Sequence, residues 1–210
     1  MHPFPQTPFP LGYLEIIMNI DALKQDLHFN TELRGHSLQF TTTWGLFSPR
    51  EIDSGTDLLL KYCDIKSDEH ILDLGCGYGP LGIALAKDAP NGSVTMLDKD
   101  FVAVDYARRN LIANRIPQGQ VLLSNGLAQL PKDQRFSTVV SNIPAKVGKE
   151  LMSIFLYDID QHLLPGGQLV VVTINGLRDY MKRTFNEQFG NYEKVKQGRD
   201  YTISRAVKEG

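Results

Sequence analysis

The residues best suited to bind a ligand form a glycine-rich loop between two apolar segments. The run 71–74 is typical of a strand buried on both faces, and the segment 81–86 has the composition of a helix. The loop between them contains the alternating glycines Gly75, Gly77 and Gly79. Glycine reaches backbone angles closed to other residues and lacks a Cβ, so a ligand can approach the main chain. Because a helix N-terminus with free N–H groups would face this bare loop, the stretch predicts a nucleotide-binding site.

The spacing of these glycines fits two cofactors. Residues 77–82 match the GxGxxG pattern of dinucleotide sites, whereas residues 73–79 match the acidic-x-GxGxG pattern of S-adenosylmethionine (SAM) sites. Asp73 favours SAM, because a carboxylate before the loop would repel a pyrophosphate but could pair with a methionine ammonium, directly or through water. The dinucleotide pattern leaves a nicotinamide-dependent oxidoreductase as the alternative. Asp98 ends the next predicted strand, 93–97, where it could bind a ribose of either cofactor.

Four stretches of the sequence, taken in order, carry a family resemblance. They are 40–48 (FTTTWGLFS), 53–60 (DSGTDLLL), the glycine loop and 141–150 (SNIPAKVGKE). In this order they resemble the class I SAM-dependent methyltransferases, and more narrowly the small-domain family related to the RsmC-like ribosomal RNA guanine methyltransferases. The resemblance implies a Rossmann-like fold and SAM as cofactor. It also implies an exocyclic amino group of guanine, in ribosomal RNA or a ribosomal subunit, as methyl acceptor.

The resemblance assigns roles to particular residues. It implies that the cofactor is held by Asp73, Gly75, Cys76, Gly77, Gly79, Asp98, Asn125 and Gly126. Asn125 would contact the adenine edge and Gly126 would let the ring lie against the backbone; the alternative is a simple Asn-Gly turn. Phe47 and Trp44 would pack over the cofactor and target-base pockets, or else fill the core. Lys149 would meet an RNA phosphate, or else stand exposed at the start of a helix.

The stretch 141–145 resembles the Asn-Pro-Pro-aromatic motif of enzymes that methylate exocyclic amino groups of bases. Such nitrogens are poor nucleophiles because their lone pair is delocalised into the ring. The side-chain oxygen of Asn142 and the carbonyl of Ile143 could hold the two N–H hydrogens, and Pro144 would provide a rigid turn. Catalysis would then rest on positioning and charge stabilisation, without a metal or a covalent intermediate.

Two positions of this stretch depart from the motif. Ile143 stands where the first proline is usual, and Ala145 stands where an aromatic ring would stack on the target base. Phe47 or Trp44 could supply the missing stacking. The departures motivate a second alternative, an inactive SAM-binding module that acts through partners.

The composition limits the class of protein. The chain has 210 residues, of which 42% are hydrophobic and 22% charged, as in an ordinary globular domain. Its formal net charge of -2 excludes a protein that grips nucleic acid by overall charge, so RNA contact would be local. Two cysteines are too few for a disulfide framework, and no zinc-ligand spacing is present. We therefore expect a cytoplasmic protein with no metal and no membrane association.

The elements that must position these residues form one predicted domain. Residues 1–20 read as a proline-rich, flexible arm, and residues 21–210 as a single methyltransferase domain with an N-terminal β-hairpin at about 31–43. The alternation of strands and helices predicts an α/β, mostly parallel seven-stranded sheet. Its last two strands, 192–196 and 201–207, would form the antiparallel C-terminal edge. The helix that begins at Lys149 is expected to be scaffold.

Overall fold

The structure, a computed structural model, describes residues 20, 24–144 and 147–210. Within these ranges the helices and strands are, in chain order, β1 (Leu27–Leu33), β2 (His36–Thr42), α1 (Ser54–Tyr62), β3 (His70–Leu74), α2 (Pro80–Asp88), β4 (Ser93–Asp98), α3 (Phe101–Ala113), β5 (Gly119–Leu123), β6 (Phe136–Asn142), α4 (Lys149–His162), β7 (Leu163–Ile174), α5 (Arg178–Phe189), β8 (Glu193–Gln197) and β9 (Tyr201–Val207). In the described part, seven strands form one sheet in the order β5-β4-β3-β6-β7-β9-β8. Neighbouring strands from β5 to β7 are parallel, whereas β9 is antiparallel to β7 and β8. The predicted Rossmann-like fold class is confirmed.

The centre of the sheet sets the place of the site. From β3 the chain builds β4 and β5 on one side and then returns to add β6 on the other. The carboxyl ends of β3 and β6 therefore adjoin at the point where the strand order reverses, which is where open α/β sheets bind ligands. Alternate side chains of β3 enter two hydrophobic layers, since Ile71 belongs to the same cluster as Ile83 on one face and Leu72 belongs to the same cluster as Met152 and Phe185 on the other.

The N-terminal hairpin is longer than predicted. Its strands pair from Leu27 with Thr42 to Leu33 with His36, so it begins four residues before position 31. The turn consists of Arg34 and Gly35, whose φ angles are 55° and 77°, as a two-residue hairpin turn requires. The inward face of β1 starts at Leu27 itself, which explains the earlier beginning.

Two asparagines of α3 attach this hairpin to the domain. Asn110 accepts the N–H of Thr41 at 2.8 Å and donates to the carbonyls of Thr41 and Tyr78 at 2.9 Å each. Asn114 repeats the arrangement at Gln39, with distances of 3.0 and 2.8 Å. The two side chains thus bind the open edge of β2 as a neighbouring strand would, and its backbone groups stay paired.

We expect Asn110→Ala to lower the free energy of unfolding by about 2–3 kcal/mol, because it leaves three backbone groups without their partner in a buried place. Urea unfolding followed by circular dichroism measures the change. The control is Asn186→Ala on the exposed face of α5, which should alter stability by less than about 0.5 kcal/mol. A loss below about 1 kcal/mol for Asn110→Ala would mean that water replaces these contacts.

The predicted arm, residues 1–20, lies outside the described residues except for Ile20. The division into an arm and a domain from residue 21 to residue 210 therefore stays a prediction. Among the residues that are described, no helix combines the length and the apolar character needed to cross a membrane.

Candidate active site

The glycine loop folds back over the end of β4. The N–H groups of Gly75 and Cys76 both donate to the carbonyl of Leu97, at 2.8 and 3.0 Å. Gly75 and Gly77 have φ angles of 75° and 57°, and a Cβ built on either would meet no described atom within 4 Å. Gly79 and Gly82 differ, because a Cβ there would press against packed side chains. The first two glycines therefore face open space suited to a ligand, while the later two serve packing.

The carboxylate of Asp73 is turned inward from this loop. Asp73 is only 1% exposed, and its Oδ2 accepts the N–H of Gly82 at 2.8 Å. Burial raises the pKa of this carboxyl to about 7, against a lowering by the Gly82 N–H and a further rise from the charge of Asp98. In this structure Asp73 joins β3 to the first turn of α2.

Asp98 stands at the edge of the site with its carboxylate fixed. Oδ2 accepts the N–H of Gly77 and Oδ1 accepts the N–H of Asp100, each at 2.9 Å. Each oxygen keeps a further lone pair for another donor. The neighbouring Asp100 has a different task, because its side chain accepts the N–H of Val102 and caps α3.

Beside Asp98 the structure has a mainly apolar cavity of about 200 Å³. It brings together six of the predicted site residues, namely Gly75, Asp98, Asn125, Gly126, Ile143 and Pro144. One further side of its wall comes from α4, through Leu151, Met152, Phe155, Leu156 and Ile159. This helix was expected to be scaffold, so these residues are not among the predicted site residues. The amphipathic spacing of its apolar side chains was the available signal.

Phe155 is the most informative of the missed residues. A Cβ built on Gly126, whose φ is 59°, would lie 2.7 Å from Cε1 of the Phe155 ring. The Phe155 ring thus lies against the Gly126 backbone, where the resemblance places the adenine ring of the cofactor. Asn125 and Gly126 form a turn that lines the cavity, and the contact of Asn125 with an adenine edge stays a prediction.

Asn142 ends β6 with its amide nitrogen bound. Nδ2 donates to Oδ2 of Asp53 at 2.8 Å and to Oγ1 of Thr56 at 3.0 Å. Because both amide hydrogens are used, the side-chain oxygen is the atom left to accept a hydrogen bond from a substrate. Asp53 and Thr56 lie at the start of α1, 89 and 86 residues earlier in the chain.

Ile143 holds its backbone by a contact that proline could not make. Its N–H donates to the carbonyl of Val172 at 3.0 Å, which extends the pairing of β6 with β7 by one residue. The carbonyl of Pro144 accepts the N–H of Val147 at 3.1 Å. The missing first proline is therefore compensated by a ladder hydrogen bond. Ala145 lies outside the described residues.

The aromatic residues before α1 are on the surface. Phe47 is 67% exposed and Trp44 is 39% exposed, which rules out the interpretation that they fill the core. The guanidinium of Arg50 lies 4.6 Å from the centroid of the Trp44 ring. The hydroxyl of Tyr78, in the glycine loop, hydrogen-bonds to the carbonyls of Ser48 and Glu51 at 3.3 Å and so ties this segment to the site.

Two further predicted positions, Lys149 and Cys76, do not line the cavity formed by the described residues. Lys149 is exposed at the first position of α4, with Nζ 6.0 Å from the centroid of the Tyr180 ring. Cys76 is buried, and burial raises the pKa of its thiol well above the ordinary value. In the described ranges, no group of three or more His, Cys, Asp or Glu side chains is arranged as a metal site would need.

Comparison with known proteins gives this arrangement a family. A family model described as "Methyltransferase small domain" matches residues 37–205. A "Ribosomal RNA small subunit methyltransferase C" of Hamiltonella defensa is 32% identical over 89% of this chain and 56% of its own length, and a Pseudomonas putida (strain W619) protein of the same name is 37% identical over 71% and 46%. The chain thus spans about half the length of these relatives. The "Uncharacterized protein YbxB" of Bacillus subtilis is 29% identical over 90% of this chain and 94% of its own length.

A solved structure shares the fold more closely than sequence alone indicates. The Thermus thermophilus "16S rRNA N2 G1207 methyltransferase (RsmC) in complex with AdoMet and Guanosine" superposes with a TM-score of 0.78 at 26% identity, over 87% of this chain and 50% of that chain. The family match decides against the nicotinamide-dependent oxidoreductase that the GxGxxG letters left open. With its Rossmann-like sheet, its glycine loop and its family match over residues 37–205, the chain belongs to the methyltransferase small-domain family.

Proposed function

We propose that this protein transfers the methyl group of SAM to an exocyclic amino group of a base in RNA, with a guanine of ribosomal RNA as the substrate. The observation that carries the proposal is the orientation of Asn142, whose bound amide nitrogen leaves the oxygen free to accept. The names of the relatives and of the structural neighbour support RNA as the substrate class.

The residues around the cavity fit SAM in chemical type. The mainly apolar walls suit an adenine ring, and Asn125 supplies an amide at their rim. Asp98 would accept from the ribose hydroxyls, and the open backbone at Gly75 and Gly77 would take the methionine part. When bound, SAM supplies an electrophilic methyl group on a positively charged sulfur.

The chain itself contributes positioning and charge stabilisation. Asn142 Oδ1 and the carbonyl oxygen of Ile143 would accept the two N–H hydrogens of the target amine, which favours a pyramidal nitrogen whose lone pair is no longer delocalised into the ring and points at the methyl group. The same two oxygens stabilise the positive charge that develops on the nitrogen during transfer. Because Ile143 is held by Val172, this pair of acceptors is kept in place without the first proline. That contact favours an active enzyme over the inactive SAM-binding module.

Contacts to RNA would be local, as the net charge of -2 requires. The exposed rings of Phe47 and Trp44 can stack on bases, and Lys149 can meet a phosphate. A ribosomal RNA substrate, free or in a ribosomal subunit, would place the protein in the cytoplasm.

The test is transfer of labelled methyl from SAM to ribosomal subunits and to free ribosomal RNA, both from cells that lack this protein. Label in RNA, lost with Asn142→Ala, would establish the activity and allow the nucleotide to be mapped. SAM binding without label in any RNA would favour the inactive module or another substrate. Absence of SAM binding would end the proposal.

The cavity wall gives a separate prediction for cofactor affinity. In Gly126→Ala the new methyl group would press on the Phe155 ring, so we expect the Kd for SAM to rise about tenfold as the ring is pushed into the cavity. Calorimetric titration measures it. The control is Gly166→Ala, which has a similar φ of 77° but no described atom within 4 Å of its Cβ, and should leave the Kd unchanged. Equal affinities for the two variants would show that Phe155 yields freely.

A further inference from the structure

We propose that Asp53 is the positioning residue that fixes which end of the Asn142 amide faces the substrate. The inference rests on the proposed function and deepens it, because it assigns a task to a side chain that does not line the cavity. Asp53 acts through Asn142 and is not expected to touch the base.

The argument begins with the symmetry of the asparagine side chain. An amide presents an oxygen at one end and an NH₂ group at the other, and the two ends have nearly the same shape. Only the oxygen can accept a hydrogen from an amine. If the amide of Asn142 turned by half a rotation, its NH₂ would face the N–H groups of the substrate, and the contact would be repulsive. Some other group must therefore hold the amide in the orientation that points its oxygen towards the substrate.

Asp53 is suited to that task because a carboxylate only accepts. Its Oδ2 lies 2.8 Å from Nδ2 of Asn142, so the partner must be the NH₂ end. Thr56 adds a second contact at 3.0 Å, but a hydroxyl both donates and accepts and would tolerate either end. The charge-assisted contact with Asp53 is therefore the one that distinguishes the NH₂ end of the Asn142 amide from its oxygen end.

The carboxylate of Asp53 is itself held in place. The N–H groups of Gly55 and Thr56 donate to Oδ2 at 2.9 and 3.1 Å, which makes Asp53 the N-cap of α1. The hydroxyl of Tyr201 lies 3.4 Å from Oδ1. A Cβ on Gly55 would come within 2.9 Å of Oδ2 and 3.1 Å of the Tyr201 ring, so glycine keeps the space that this arrangement needs. The pattern Asp-x-Gly-Thr thus serves the orientation of a residue on a different strand.

The discriminating variant is Asp53→Ser. Serine caps helices about as well as aspartate, so α1 should remain intact, but its shorter side chain cannot bridge to Asn142. We expect kcat for methyl transfer to fall about ten- to a hundredfold, because the side-chain oxygen of Asn142 is no longer held towards the substrate. The Kd for SAM and the Tm should stay near those of the wild type. The conservative variant Asp53→Asn should keep most of the wild-type rate, because the N–H groups of Gly55 and Thr56 would hold its single acceptor oxygen at the place of Oδ2, where it can still accept from Asn142.

A double-mutant cycle separates positioning from general damage. In an Asn142→Ala background, Asp53→Ser should cost less than about a further twofold in kcat, because nothing is left to orient. An unchanged kcat in Asp53→Ser alone would overturn the proposal. So would a full additional loss in the Asn142→Ala background, or a loss in Asp53→Asn as large as in Asp53→Ser.

A readout without turnover keeps this test distinct from the test of the proposed function. In protein labelled with 15N-asparagine, the Nδ2 hydrogens of Asn142, identified by their loss in Asn142→Ala, should exchange slowly with water in the wild type. They should exchange rapidly in Asp53→Ser, and equal exchange in the two proteins would refute the contact. If the wild type transfers no methyl group to RNA, the proposed function fails, whereas this measurement still reports whether Asp53 holds Asn142.

Discussion

Replacing Asn142 by alanine should lower kcat for methyl transfer to RNA by about 10²–10³-fold, the loss typical of removing one preorganised group that stabilises developing charge. The reason is local. The variant keeps the carbonyl of Ile143 but loses the side-chain oxygen of residue 142. One N–H of the target amine then has no acceptor, and the nitrogen stays conjugated with its ring. Single-turnover transfer of labelled methyl, with protein in excess over RNA, measures this step without product release.

The cofactor should be bound normally by this variant, because Asn142 does not line the cavity formed by the described residues. A Kd for SAM within about threefold of the wild type would show that the loss belongs to transfer, since threefold is less than 1 kcal/mol. Asn186→Ala, an exposed asparagine of α5, should transfer at the wild-type rate. Transfer by Asn142→Ala at more than about a third of the wild-type rate would exclude the side chain as the acceptor and leave the backbone carbonyl alone.

The parts of this architecture that could be predicted are those encoded by neighbouring residues. Apolar runs and glycines locate β3 and its loop, and the rule that ligands bind beyond the carboxyl ends of parallel strands places Asp98 and Asn125 at one edge. Asp98 and Asn125 do both line the cavity. The fold class follows from the same local patterns, repeated along the chain.

The contacts that position the site could not be predicted, because they join distant residues. Asp53 and Asn142 are 89 residues apart, and no local pattern indicates that the cap of α1 should orient the last residue of β6. The sequence shows that Ile143 replaces a proline, but the compensating bond exists only once β7 brings Val172 alongside. Phe155 belongs to a helix with several apolar residues, and periodicity does not tell which of them faces a cavity and which the core.

The burial of Asp73 could not be predicted from the sequence either, and it should have a large effect on how stability depends on pH. A carboxyl with an ordinary pKa of 3.8 has a pKa of about 7 in the folded protein, raised first by burial. Between these values the folded state binds more protons than the unfolded state, so the free energy of unfolding decreases as the pH rises. Between pH 5 and pH 8 this group should cost the wild type about 2–3 kcal/mol of stability.

The isosteric variant Asp73→Asn should lose this dependence. Its amide oxygen can still accept the N–H of Gly82, but it carries no charge to bury. We therefore expect it to be more stable than the wild type at pH 8, with a difference that shrinks towards pH 5. Urea unfolding at several pH values measures both curves. Asp133→Asn, at an exposed position, should reproduce the wild-type curve, and parallel curves for Asp73→Asn would show that Asp73 remains hydrated in the fold.

The same pair of proteins decides the role that the sequence predicts for Asp73. If its carboxylate pairs with the ammonium of SAM, binding favours the charged form, and the affinity of the wild type should rise as the pH increases through about 7. The Asp73→Asn variant would lack this rise and bind SAM more weakly at pH 8. If the carboxylate serves only the junction of β3 and α2, as its bond to Gly82 indicates, the two proteins should bind SAM equally at every pH. In that case the acidic position of the motif would contribute to the shape of the loop and not to recognition of the cofactor's charge.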